Sequence, residues 1–200
     1  MKDKKRNIGP SNNKITSIII CGVGGQGILL SSDILCTAAF LVGHDVKKSE
    51  IHGMAQRGGS VITHARFGKK VYSPLVEEGT ADFILAFEKL EALRYSYFLK
   101  EKGTIIVNDL EFPPMSVLAG EKEYPKNIID SLKKISMVHL VPAQEIALKL
   151  GNVRVANVVL LGSLAKFLFF PKEVWIEAIK ANVKPQYHEL NIKAFEMGWH

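Results

Sequence analysis

Two short segments carry the residues whose types and spacing could do chemistry. Directly after the apolar run Ile18-Ile19-Ile20 stands Cys21-Gly22-Val23-Gly24-Gly25-Gln26-Gly27, and thirty residues after Cys21 begins Ile51-His52-Gly53-Met54-Ala55-Gln56-Arg57-Gly58-Gly59-Ser60. Gly22, Gly24 and Gly27 satisfy G-x-G-x-x-G in the setting that gives the pattern meaning, a strand before and a helix after. Glycines there permit a tight turn and close approach of an anion to the backbone, while the helix starting near Gln26 aims free N–H groups and its positive dipole end at a phosphate. The same glycines would also serve simply to pack the first helix under the sheet, since fold is not function. The extra Gly25-Gln26 favours a special backbone conformation, because it makes Gly24 and Gly25 adjacent, and two adjacent glycines carry an entropic cost that a plain turn does not require. A dinucleotide site would further want an acid near the end of the second strand for a ribose hydroxyl. Glu50 stands about there, behind Lys47 and Lys48.

In the second segment Arg57 is a planar fork of donors suited to a carboxylate or phosphate. Gln56 can donate and accept, and Gly58-Gly59 let another backbone come close. Met54 is an adaptable contact residue, as useful in packing as at a partner surface. His52, taken alone, reads as an ordinary surface histidine. The loop should emerge at the carboxyl end of the second strand, the edge at which open α/β sheets bind ligands.

The elements that position these residues follow from periodicity. Ile15 to Cys21 is a β-branched run suited to a strand buried on both faces. Gln26 to Val42 repeats its apolar residues at helical spacing and stops at Gly43. Asp45 to Ile51 reads as a strand, and Val61, Thr63, Ala65 and Phe67 alternate with polar neighbours as a further strand, with Val71-Tyr72-Ser73 as its hairpin partner across Gly68-Lys69-Lys70. Strands are then expected at Ala81–Phe87, Thr104–Asn108 and Met137–Val141, and helices at Glu88–Lys100, Lys126–Lys134, Ala143–Leu150, Ala156–Phe169, Lys172–Ala181 and His188–Met197. Alternation of this kind implies α/β architecture: a Rossmann-like, three-layer open sheet, mostly parallel, with an inserted antiparallel hairpin and C-terminal helices.

The chain has 200 residues, 47% apolar and 23% charged, the composition of an ordinary globular protein. Its formal charge of +6 invites a nucleic-acid partner until it is located. Five basic residues against one acid fall between Met1 and Lys14, so most of the excess belongs to a polar tail without apolar periodicity. The tail is expected to be disordered and the body from residue 15 to 200 to be one domain, with no nucleic acid as partner. No export signal is expected, because glycines interrupt the apolar stretch after the basic start. The most apolar late stretch, Val158 to Phe170, contains Ser163 and Lys166 and is shorter than the ~20 residues of a membrane helix. A buried helix and a cytoplasmic location follow. Cys21 and Cys36 are the only cysteines; the helix between them separates them beyond disulfide reach, and a four-cysteine cluster is excluded.

Together the strand-GxGGQG-helix start and the Gln56-Arg57-Gly58-Gly59 loop resemble the gamma-type domain of the 2-oxoacid:ferredoxin oxidoreductases. The form Ser49 to Val61, Tyr72-Ser73-Pro74-Leu75, Phe87-Glu88-Lys89-Leu90-Glu91-Ala92-Leu93-Arg94, Pro142 to Ala147, Asn152 to Asn157 and Glu189-Leu190-Asn191 is similar to the indolepyruvate branch, and the resemblance spans about residues 15 to 199. It implies a small subunit of an enzyme that decarboxylates aryl pyruvates oxidatively with coenzyme A, giving an aryl acetyl-CoA, carbon dioxide and reduced ferredoxin. Thiamine diphosphate and the 4Fe-4S clusters are then expected on a large alpha subunit, and this chain holds no cofactor or metal alone. For such an enzyme Gly22, Gly24, Gly25 and Gly27 are expected to shape the backbone of a cofactor-binding turn, Gln26 and Arg57 to make polar contact with coenzyme A or the alpha subunit, and Ser49, His52, Met54, Gln56, Gly58 and Gly59 to rim the cleft, with no catalytic acid or base. A pyruvate- or 2-oxoglutarate-specific homologue, a free NAD-dependent dehydrogenase and a scaffolding module are the alternatives. Exposed Trp175, Phe195 or Trp199 would be interface anchors; their ordinary role is core.

Overall fold

The structure, a computed structural model, describes residues 15–52 and 58–200, the side chain of His52 excepted. The basic tail, Gly53, Met54, Ala55, Gln56 and Arg57 lie outside the described residues. Six strands form one sheet: β1 (Thr16–Val23), β2 (Asp45–His52), β3 (Ser60–Gly68), β4 (Ala81–Ala86), β5 (Leu99–Asn108) and β6 (Met137–Val141), in the spatial order β2-β3-β1-β4-β5-β6. The pairings β1–β4, β4–β5 and β5–β6 are parallel, while β3 runs antiparallel to both neighbours.

Alternate residues of β1 feed the two sides of the sheet, as the two-residue period of a strand requires. Ile18 and Ile20 join one core with α1 (Ile28–Leu41), and α6 (Ala156–Ala165), α7 (Lys172–Asn182) and α8 (His188–Trp199) complete it. Ile19 and Cys21 join the other, covered by α2 (Lys89–Arg94) and α4 (Ile128–Lys133). The three-layer α/β sheet read from the sequence is therefore the observed architecture, and Val158 to Ala165 is a buried helix. Among the described residues no helix is long and apolar enough to cross a membrane. Trp175 and Phe195 are fully buried, in the ring series Phe170–Trp175–Phe195–Trp199. They are core residues and not interface anchors.

Two local expectations are corrected. Val71-Tyr72-Ser73 is not a strand. Both edges of β3 are already occupied by β1 and β2, and side chains satisfy the backbone of the following segment instead. Asp45 accepts from the Val71 N–H at 2.9 Å, and Arg66 donates to the carbonyls of Ser73 and Leu75 at 3.0 and 2.9 Å. The antiparallel hairpin is β2–β3, paired from Asp45 with Gly68 to His52 with Val61. Glu88 to Lys100 is not one helix either: α2 ends at Arg94, and β5 already begins at Leu99. A 3-10 turn at Ser96–Phe98 follows α2, and Tyr95, Phe98 and Leu99 pack on the core between sheet and α2. The short helix α3 (Met115–Leu118) and the early start of β5 have no signal in the sequence reading.

Candidate functional site

A cleft of about 450 Å³ opens at the carboxyl edge of the parallel strands. Its walls are Gly25, Gln26, Gly27 and Leu30 after β1, Phe87 after β4, Asn108 at the end of β5, then Leu110 and Phe112. Gln144 of α5 (Ala143–Lys149), Val153 and Arg154 in the 3-10 turn before α6, and Ala156, Asn157 and Leu160 of α6 close it. From β1 the chain moves to β2 and β3 on one side of the sheet, and β4, β5 and β6 lie on the other. The cleft thus sits at the topological switch point, where open α/β sheets bind ligands.

The glycines of the first segment divide between two jobs. Gly27 caps α1 in the left-handed region (φ 84°), and a Cβ there would lie 2.6 Å from Asn157 Nδ2; Gly22 is closed in by Gln26 and Phe87. Gly25 has φ 102°, is exposed, and has open space where its Cβ would be. Packing therefore fixes Gly22 and Gly27, whereas Gly25 faces the cleft. Gln26 braces its own turn, its Oε1 accepting from the Val23 N–H at 2.8 Å. No side chain caps α1 and no acid stands in its first turn, so its amino end keeps the free donors and positive field that suit an anion.

The second segment reaches the same edge. His52 pairs with Val61 and Val23 with Ser60, which brings the ends of the hairpin beside the end of β1. Gly24 and the loop are tied by two backbone bonds, Gly24 N–H to Gly59 O at 2.8 Å and Gly58 N–H to Gly24 O at 3.4 Å. Arg57, Gln56 and Met54 lie outside the described residues. Ser49 pairs with His64 on the outer strand, three residues short of the edge, and does not reach the cleft. Glu50 is no ribose ligand of a dinucleotide site. Two strand spacings of about 4.8 Å separate β2 from β1 because β3 lies between them, and its carboxylate is paired with Lys48 at 2.6 Å.

Four cleft residues had no assigned role in the sequence reading. Asn108, 2% exposed, donates to Phe87 O at 3.3 Å and accepts from the Ala143 N–H at 3.1 Å, joining the end of β4 to the start of α5. Asn157 donates to Gly27 O at 3.3 Å. Gln144 stands in the first turn of α5, and Arg154 in the 3-10 turn that leads into α6. Gln144, Arg154 and Asn157 belong to strings already quoted for the resemblance; the available signal was polar residues at the amino ends of elements that begin on the carboxyl edge.

Behind the cleft lie two buried carboxylates. Glu88, 1% exposed, accepts from the N–H groups of Glu91 (2.9 Å) and Phe112 (3.2 Å) and from the Tyr124 hydroxyl. Glu91, 4% exposed, accepts from the Ser60 hydroxyl and from Arg94 Nε at 3.0 Å; burial raises its carboxyl above the ordinary range. The Cys21 thiol donates to Glu91 O at 3.6 Å, and burial, with the charges of Glu91 and Glu88, pushes its pKa well up. It is a core thiol, not a nucleophile. Among the described residues no group of His, Cys, Asp and Glu could hold a metal ion.

The module is an open α/β sheet with a cleft at the switch point and a second segment tied to the glycine turn. The chain belongs to the pyruvate ferredoxin/flavodoxin oxidoreductase family, whose model matches residues 17–200. It is 44% identical over 188 residues to an indolepyruvate oxidoreductase subunit IorB of Archaeoglobus fulgidus, covering 92% of this chain and 93% of that protein. It is 42% identical over 190 residues to the subunit of the same name from Thermococcus kodakarensis, covering 91% and 93%. The fold is similar to that of a keto/oxoacid ferredoxin oxidoreductase gamma subunit of Geobacter sulfurreducens, with TM-score 0.69, 27% identity and coverage of 92% and 96%. The chain is a small subunit of a 2-oxoacid:ferredoxin oxidoreductase, and a partner subunit follows from that.

Proposed function

We propose that this subunit serves the oxidative decarboxylation of aryl pyruvates, indolepyruvate first among them, and that its cleft receives part of coenzyme A. In the overall reaction the bond between the carboxylate and the 2-oxo carbon breaks, releasing carbon dioxide. The acyl carbon gains a thioester bond to the coenzyme A sulfur, the thiol proton is released, and two electrons pass to ferredoxin. Thiamine diphosphate, which stabilises the carbanion left by decarboxylation, and the iron–sulfur clusters are assigned to the large alpha subunit. The residues here do not fit a cluster: it needs four thiolates, and the chain has two cysteines, one a core thiol. A cytoplasmic location accords with those clusters and with two unpaired thiols.

The observation that supports this reading is the joining of both segments at one edge by the Gly24–Gly59 bond. Gly25 leaves the backbone open to a ligand, the uncapped end of α1 favours a phosphate, and exposed Arg154 adds a cation. Phe112, Leu30 and Leu160 supply apolar walls that exclude water from a reactive acyl group. Coexpression with the alpha subunit tests the reading. Indolepyruvate should reduce ferredoxin only when coenzyme A is present, and faster than pyruvate or 2-oxoglutarate does. Preference for pyruvate would move the chain to another branch of the family.

A further inference from the structure

The two buried acids at the N-cap and in the first turn of α2 have no part in the chemistry proposed above, yet one bonds Phe112 of the cleft wall and the other bonds Ser60, next to the Gly59 that is tied to the Gly24 turn. Glu91 grips Ser60 through the Ser60 hydroxyl, which also lies 2.9 Å from the Tyr95 hydroxyl. Ser60 is the first residue of β3 and follows Gly59, whose carbonyl holds the Gly24 N–H. Glu88, one turn earlier, holds Phe112 of the cleft wall through its N–H and accepts from the Tyr124 hydroxyl. Burying a carboxylate is costly unless its oxygens are satisfied, and a lone structural cap would need only one of these acids. Here Glu88 already caps the helix by accepting from the Glu91 N–H. The Glu91 side chain is therefore free to do something other than capping.

We propose that Glu91, through Ser60, is a positioning residue that fixes the Gly58–Gly59 loop against the Gly24 turn, with Glu88 as its counterpart for the Phe112 wall. The serine hydroxyl transmits the position of α2 to the loop end. The Gly24–Gly59 bond then sets the distance between the two segments that meet the ligand. Arg94 balances the charge that this arrangement buries. The claim concerns the loop's geometry; only its consequence for coenzyme A rests on the function proposed above.

The test is hydrogen exchange and steady-state kinetics on the full chain assembled with its alpha subunit. In Ser60→Ala, exchange at Gly24 and Gly58 should quicken about tenfold, the order expected for loss of one supporting hydrogen bond. Exchange in the centre of β1, at Ile18 to Ile20, should stay unchanged. Glu91→Gln should do the same, Ser60→Thr should restore protection because it keeps the hydroxyl, and Tyr95→Phe should have a smaller effect. The KM for coenzyme A should rise about tenfold in Ser60→Ala with kcat within about twofold. Exchange that quickens equally across β1, or not at all, in both Ser60→Ala and Glu91→Gln would overturn the proposal. Local quickening without a change in KM would uphold the positioning role and count instead against coenzyme A as the ligand of the cleft.

Discussion

Substituting Gly27 and Gly25 by alanine separates a glycine needed for packing from one that faces a ligand. Both have positive φ, 84° and 102°, so each alanine is charged the left-handed backbone cost of about 1–2 kcal/mol. There the resemblance ends, since the new methyl at Gly25 meets nothing within 4 Å while that at Gly27 lies 2.6 Å from Asn157 Nδ2 and 3.0 Å from its Cγ. Asn157 is 3% exposed and cannot simply swing into solvent. Displacing it breaks its bond to Gly27 O and leaves polar atoms unsatisfied, adding about 1–3 kcal/mol. Gly27→Ala should thus destabilise by about 2–5 kcal/mol and Gly25→Ala by about 1–2, a gap visible as a Tm difference of at least about 2–4 °C. Urea unfolding of the purified chain measures both. Adding Asn157→Ala to Gly27→Ala should cost little more, because the contact is already lost, so the double-mutant cycle shows coupling. Equal losses at the two glycines, or additive losses in the cycle, would refute the reasoning and return Gly27 to the ligand-facing group.

Trp175→Ala should lower stability by about 3–5 kcal/mol, read by urea unfolding, because the side chain is fully buried. His64 is 4% exposed and its Nδ1 accepts the Val76 N–H at 3.1 Å, so burial lowers its pKa below 6.5 and the folded chain holds it neutral. Below pH 6.5 the unfolded chain takes up the proton first, and stability should fall as pH drops from there toward the folded pKa, by at most about 1.4 kcal/mol per pH unit. His44 is shifted the same way by burial, so His64→Gln should flatten the Tm–pH curve in part and not abolish its slope. Arg57→Ala should weaken coenzyme A binding or assembly about ten- to hundredfold, with Arg57→Lys intermediate, in titrations of the reconstituted complex. The purified chain alone should carry no iron or sulfide and turn over no indolepyruvate, which metal analysis and the ferredoxin assay check.

The layers of the fold were legible because hydrophobic burial writes its period into the sequence. Ile18 to Cys21 feeds two cores at once and so reads as continuously apolar, and Val158 to Ala165 is buried on all sides for the same reason. The β3 strand was legible and its partners were not. Alternation of Val61, Thr63, Ala65 and Phe67 reports a strand, but pairing depends on which edges remain open, and here β1 takes the place that a hairpin at Val71 would need. The side chains that then hold residues 71–75, Asp45 and Arg66, come from other strands and leave no local signature. Glu88 to Lys100 misled for a related reason, since helical spacing of apolar residues persists into Tyr95 and Phe98, whose rings are claimed by the core beside α2.

The site divides along the same line between local and non-local causes. The glycine turn announces itself because the backbone there must take conformations other residues resist, and Gly27 and Gly25 do so. What the turn faces is decided by residues up to 130 positions away, as in the bond from Asn157 to Gly27 O. No spacing rule in the sequence joins those two. The acid at Glu50 shows the converse error: its distance along the chain suits a ribose contact, but that rule assumes the second strand lies next to the first. Inserting β3 between them keeps β2 parallel to β1 while moving its carboxylate one strand too far. The same insertion carries Gly58 and Gly59 to the end of β1, so the feature that removes a dinucleotide ribose site is the one that ties the start of β3 to the Gly24 turn.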